Sequence, residues 1–131
     1  MITIYLARHI DHMPTNPEPQ APLTPAMFNV LLALADGDKH GYAMLKEVSE
    51  QTNGEVQLST GTLYGIIKRL LTDGLISEVR NRPASSNDDQ RRRYYRLTAD
   101  GRAVAVTEAR RMESLIARAR SKRLIKAISH A

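Results

Sequence analysis

Cysteine is absent from the 131 residues, and so is tryptophan. The first absence excludes disulfides, thiol nucleophiles and cysteine-held metals. The second, together with a single Phe and five Tyr, argues against a deep aromatic-lined pocket inside one subunit. No apolar run approaches the roughly 20 residues that a membrane-spanning helix needs. The opening residues, MITIYLARHIDHM, have no basic leader before the apolar stretch and no small-residue cleavage site. They do not read as a secretory signal, and a cytosolic location is the expectation.

What remains is enough for one core. Hydrophobic residues make up 42% of the chain, and its length suits one domain with appendages. The net charge of +5 is unevenly spread. Residues 1–58 carry three basic and seven acidic side chains, residues 80–96 six Arg and two Asp, and residues 102–131 eight basic and two acidic side chains. Clustering of this kind fits an anionic partner, although a solvated charged face has the same composition.

Segment by segment, the chain divides into three. Residues 1–22 form an N-terminal extension with Ile2, Leu6 and Ile10 on one helical face. It leads into PTNPEPQAP, an extended linker by its four Pro. Residues 23–97 contain three helical patterns and two strands. In LTPAMFNVLLALADGD, Thr24 suits an N-cap, Pro25 the first helical position and Asp36-Gly37 the end. Phe28, Leu31, Leu32 and Ala35 recur at helical spacing there, in a composition apolar enough for burial on more than one side. HGYAMLKEVSEQTNG offers Ala43, Met44, Leu45 and Val48 to a core and stops at Asn53-Gly54. In LSTGTLYGIIKRLLTDGLI, Ser59 is the expected cap. Leu63, Ile66, Ile67, Leu70 and Leu71 form the inner stripe, and Gly74 follows the last turn. That stripe leaves Thr60, Thr62, Tyr64, Gly65, Lys68 and Arg69 outside. LISEVRNR and RRRYYRLT read as strands around the loop PASSNDDQ, with Tyr95 and Leu97 on one face and Tyr94 and Arg96 on the other. Residues 98–131 read as one long helix and tail, capped by Thr98. Its seam of Ala105, Ala109, Met112, Ile116 and Ala119 alternates spacings of four and three.

The expected fold is mainly α with a small β-hairpin: a winged helix-turn-helix followed by a long C-terminal dimerisation helix. HGYAMLKEV, LSTGTLYGIIKRLLTDGLI and RRRYYRLTADG, in that order and separation, resemble the PadR family of transcriptional regulators from about Leu23 to Arg102. The resemblance implies a recognition helix from Ser59, a wing at 80–93, and dimerisation through the first and last helices. Two positions depart from the family pattern, which commonly has Pro where this chain has Thr60 and Gly65.

A helix in the major groove needs short hydrogen-bonding side chains near its start and cations further along. Ser59, Thr60, Thr62 and Tyr64 fit the first role. Lys68 and Arg69 fit the second, and Arg91, Arg92 and Arg93 would meet phosphate from the wing. Each has a bland counterpart: a solvated helix face for the former, a charge-protected hairpin edge for the latter. His9 with His12, and Asp88 with Asp89, lack the further ligands that a metal site needs and read as surface residues. His40 reads as a helix-start residue, and Tyr42 as a weaker candidate for a phosphate. The expected function is a non-enzymatic, homodimeric regulator of double-stranded DNA. It would be a repressor released by a small apolar or phenolic effector or a stress signal, with no cofactor and no membrane partner. A winged-helix protein-interaction module without DNA binding is the alternative.

Overall fold

The computed structural model describes residues 23–79 and 93–127. The N-terminal extension, its linker, both His9 and Asp88 metal readings, Arg91, Arg92 and the loop between the wing strands lie outside them. The elements run α1 (Pro25–Ala33), β1 (Lys39–His40), α2 (Gly41–Gln51), α3 (Thr60–Thr72), β2 (Ile76–Val79), β3 (Tyr94–Leu97) and α4 (Ala99–Ser121).

Side-chain caps set the helix starts. Thr24 accepts the Met27 amide at 3.1 Å, Ser59 the Thr62 amide at 3.0 Å and Thr98 the Gly101 amide at 2.9 Å. Each satisfies a backbone donor that has no partner inside its helix. At α2 the cap is His40, whose Nδ1 accepts the Ala43 amide at 3.2 Å. Accepting there requires the neutral ring. His40 thus starts a helix, as its position in the sequence suggests, and its ring also meets Tyr94 edge-on at 5.3 Å.

The helix ends use left-handed residues. Asn53 (φ 54°) and Gly54 (φ 81°) turn the chain after α2. After α3, Gly74 (φ 75°) lets its own amide reach the Leu71 carbonyl at 3.1 Å and the Leu75 amide reach that of Leu70 at 2.9 Å. This closes the helix while burying Leu75 beside Leu70.

The core joins Val30, Leu31 and Leu34 to Met44, Val48, Leu63, Ile67, Leu70, Ile76 and Tyr95. Two expectations for α1 need correction. Helix α1 stops at Ala33 rather than at Asp36-Gly37, and Leu32 is 48% exposed while Ala35 is exposed. The inward face is instead Met27, Val30, Leu31 and Ala33, with Phe28 beside them. An almost wholly apolar segment has no periodicity from which to choose the inner face.

The sheet has three antiparallel strands in the order β1-β3-β2, one more than the expected hairpin. Lys39 pairs with Tyr95 and His40 with Tyr94, while Ile76 to Val79 pair with Leu97 to Tyr94. Two residues are too few for alternation to reveal β1. The expected facing of β3 holds: Tyr95 is buried and Arg96 exposed.

The start of α4 is clamped to the end of α3. The Thr98 amide donates to the Leu75 carbonyl at 3.1 Å, and its hydroxyl donates to the Gly74 carbonyl at 2.7 Å. Gly101 is buried against the same turn, where a Cβ would lie 1.9 Å from the Leu75 oxygen. Backbone cannot yield as a side-chain tip can. Gly101→Ala is therefore expected to destabilise by at least about 1–3 kcal/mol, the usual range for overpacking. Thr98→Ala should cost about 1 kcal/mol through the lost cap. Urea unfolding measures both, and a Gly101→Ala midpoint equal to the parent's would disprove the clamp.

Candidate nucleic-acid interface

Helix α3 presents its inner stripe as expected. Leu63, Ile67 and Leu70 are buried, and Ile66 and Leu71 pack partly against the core. Thr60, Gly61, Thr62, Tyr64, Gly65, Lys68 and Arg69 are exposed. The spacing of Gly61, Gly65, Lys68 and Thr72 puts them on one outward strip. Gly61, unlike Gly65, was not among the outward residues expected from the sequence. Around both Gly61 and Gly65 an added Cβ would meet nothing within 4 Å. Each glycine weakens a helix interior by roughly 0.5–1 kcal/mol relative to alanine, so neither is there for packing or for helix stability.

Ser59 and Thr62 act as a pair. The Ser59 oxygen accepts the Thr62 amide and its hydroxyl donates to Thr62 Oγ1 at 2.9 Å. Ser59 is thereby committed within the helix start. Thr62 already accepts a hydrogen bond, and its own proton remains available to an outside acceptor.

Tyr64 leans toward α2. A Cβ on Gly41 would lie 2.3 Å from the Tyr64 hydroxyl. The ring thus fills the space left by Gly41 at the first turn of α2 and remains 46% exposed. It links the two helices of the helix-turn-helix while facing solvent. Tyr42, in the same turn of α2, is 67% exposed.

The cations differ in their commitments. Arg69 pairs with Asp73 at 3.5 Å, one turn on. Lys68 has no ion pair among the described residues. Arg93 pairs across the sheet with Glu78 at 3.6 Å and keeps 71% of its side chain exposed. Arg96, which the sequence reading did not select, grips Asp38 with two bonds of 3.0 and 2.9 Å. The hydrogen bond and charge of Asp38 raise the pKa of the Arg96 guanidinium. This pair ties the wing strand to the loop before β1.

Along α4, the seam expected for dimerisation divides. Ala105 and Met112 pack partly on the chain's own core. Ala109 is exposed, Ile116 is 44% exposed and Ala119 is half-buried. Leu115, one residue from the seam, is 41% exposed. No cluster of three His, Asp or Glu among the described residues could hold a metal ion, and no helix among them is long and apolar enough to cross a membrane.

Helix, turn, a capped exposed helix and a strand pair leading into a long terminal helix define a winged helix-turn-helix regulator. The model of the transcriptional regulator PadR-like family matches residues 30–106, and the chain belongs to that family. It is 40% identical over 88 residues to the transcriptional regulator Rv3488 of Mycobacterium tuberculosis, covering 66% of this chain and 75% of that one. Two further curated relatives are spanned less fully, one from Lysinibacillus sphaericus over 65% of its length and one from Streptomyces fradiae over 24%. Among solved structures, a PadR family transcription regulator from Clostridium difficile R20291 superposes with a TM-score of 0.62 at 26% identity. That match covers 76% of this chain and 97% of the other.

The contact between Gly41 and Tyr64 can be isolated by a double-mutant cycle. Gly41→Ala must displace the ring and should cost about 1–3 kcal/mol, as overpacking does. In a Tyr64→Ala background the same change should cost little or nothing. Equal costs in the two backgrounds, measured by chemical denaturation, would mean that the ring does not occupy this space.

Proposed function

We propose that the chain is a homodimeric repressor that reads double-stranded DNA with the outward strip of α3. The reading rests above all on Thr62. Its hydroxyl is oriented by Ser59 and exposed at the start of a capped helix, with an open glycine surface beside it. A helix of this form can approach base edges closely, and a hydroxyl with a spare proton suits an acceptor in the major groove. Lys68, on the same strip, and Arg93, at the base of the wing, would take phosphates on either side. Thr60 and the first amides of α3 would take another. Tyr64 sets the angle between α2 and α3 and lends its exposed edge to the same surface.

Helix α4 supports the dimer. Buried Gly101 and Val104 and half-buried Glu108 and Met112 mark the face turned to the body. Leu115, Ile116 and Ala119 continue the same face, yet from Glu113 to Ala127 no residue is buried. A second copy packed along α4 would cover this apolar continuation and hold two recognition helices at a fixed spacing, as palindromic sites require. Apolar side chains along such an interface would also form the cleft for a small apolar or phenolic effector. That effector would release DNA by favouring another spacing of the recognition helices.

Thr62→Ala should cost roughly 1–3 kcal/mol on the cognate duplex and much less on a scrambled one. Lys68→Ala should weaken both and reduce the salt slope by about one unit. Titrations of the two duplexes across a salt series distinguish the roles. If Thr62→Ala leaves the cognate preference intact in a folded protein, α3 does not read bases, and a protein-interaction role gains ground.

Replacing Leu115 and Ile116 with Glu should separate the dimer, because charge would be buried without a partner. Light scattering should give a dimeric parent and a monomeric variant, with circular dichroism unchanged. A parent that is monomeric at micromolar concentration contradicts the proposal.

A further inference from the structure

Of the four helix caps among the described residues, three are hydroxyls, from Thr24, Ser59 and Thr98. A hydroxyl keeps its acceptor oxygen at any pH near neutrality. The fourth cap is an imidazole. His40 has the extended backbone of an N-cap (φ −90°, ψ 169°), and its Nδ1 accepts the Ala43 amide at 3.2 Å. Protonation turns that nitrogen into a donor. Two N–H groups then point at each other, and a positive charge stands at the positive end of the helix dipole. The first turn of α2 carries no acidic residue to offset either effect.

The position of the ring gives this proton its leverage. His40 pairs with Tyr94 in the sheet, and the two rings meet edge-on at 5.3 Å. The next residue, Gly41, is the buried floor beneath the Tyr64 hydroxyl. The imidazole thus stands between wing strand β3 and the seat that fixes α3 against α2. Around it, β3 brings Tyr94, Arg93 paired with Glu78, and Arg96 paired with Asp38. Strand β1 brings Lys39, held by Asp36 and Glu47. Helix α2 brings Tyr42, and α3 brings Tyr64 across Gly41. Imidazole alone among these side-chain types ordinarily titrates between roughly pH 5 and 8.

We propose that His40 is a proton sensor: its neutral ring holds α2 and α3 in the DNA-reading arrangement, and its protonation releases DNA. The inference rests on the DNA reading proposed above and makes acidification the stress signal. Loss of the cap frees the first turn of α2. Gly41 then no longer fixes Tyr64, and α3 loses the angle at which its outward strip meets the groove. By linkage, DNA binding favours the deprotonated ring. Affinity is therefore full above the imidazole range and declines as the pH falls through it. A change of about fivefold, or about 1 kcal/mol, corresponds to the loss of one helix cap.

The test compares the full-length parent with His40→Asn. Asparagine is among the best capping residues and does not titrate. The parent selects a duplex from a random-sequence pool at pH 7.5. Affinity for that duplex is then measured at pH 7.5 and 5.5 at fixed ionic strength, with circular dichroism at both. His9, His12 and His130 are common to both chains and cancel in the comparison. The expected result is a variant within about twofold of the parent at pH 7.5, and a parent that loses about fivefold relative to the variant at pH 5.5. His40→Ser, a second cap that does not titrate, should repeat the variant's behaviour. Equal pH responses in parent and variants overturn the sensor and leave DNA reading intact. A parent that gains affinity relative to the variants at pH 5.5 also overturns it, because the imidazolium then meets phosphate. So does a parent that unfolds at pH 5.5, since release is then denaturation. A parent that prefers no duplex over a scrambled one at pH 7.5 overturns the DNA reading, and the sensor falls with it.

Discussion

The architecture depends on the contact between the turn that closes α3 and the first turn of α4. Three groups meet there at close range: the Gly74 and Leu75 carbonyls, the Thr98 amide and hydroxyl, and the bare Cα of Gly101. Carbonyls left over at the end of one helix are satisfied by the cap residue of another, which also serves its own helix. The chain between them, β2 and β3, is closed into a loop whose ends cannot drift. Helix α3 is thereby held at both ends, by Tyr64 over Gly41 near its start and by this clamp at its finish. A helix fixed twice can present a surface at a set angle without any large cap of protein above it.

That surface is specialised by subtraction. Its hydroxyls are ordered among themselves, one of its two cations is drawn toward Asp73, and two of its positions carry no side chain at all. The stronger fixed charges are spent on the frame instead. The Arg96–Asp38 pair ties β3 to the loop before β1, and Lys39 bridges the end of α1 to α2. Exposed pairs of this kind add little stability each. Their effect is directional, holding the short strand β1 beside β3 so that the wing has a three-stranded base.

Much of this was legible because helix boundaries are written in local chemistry. Thr24, Ser59, Thr98 and Gly74 each announce a terminus by their own hydrogen bonds or backbone freedom, and the structure puts the termini at those residues. The amphipathic stripe of α3 was equally readable, since its apolar and polar residues separate cleanly. Where contrast was missing, reading failed. In α1, Leu31 and Leu32 are chemically identical, and which one turns inward is decided by packing from the rest of the chain. Strand β1 exists through pairing with a segment more than fifty residues away, which no local pattern encodes. Tyr64 faces outward as expected, but its contact above Gly41 could not be read, because its partner there is an absent side chain. Met112, expected in the intersubunit seam, also packs partly on the chain's own core, a contact that the spacing along α4 does not reveal.

The two open glycines of α3 have an evolutionary consequence. A position that contacts the core cannot change without cost, and a position that caps a helix cannot change freely. Gly61 and Gly65 are bound by neither restriction, and an alanine at either would strengthen the helix by removing backbone freedom from the unfolded chain. New side chains can therefore be tried at the centre of the presented surface with a stability gain rather than a loss. In most proteins acquiring a new specificity draws down a small margin of stability. Here the same step would add to it, so this surface can change without compensating mutations elsewhere.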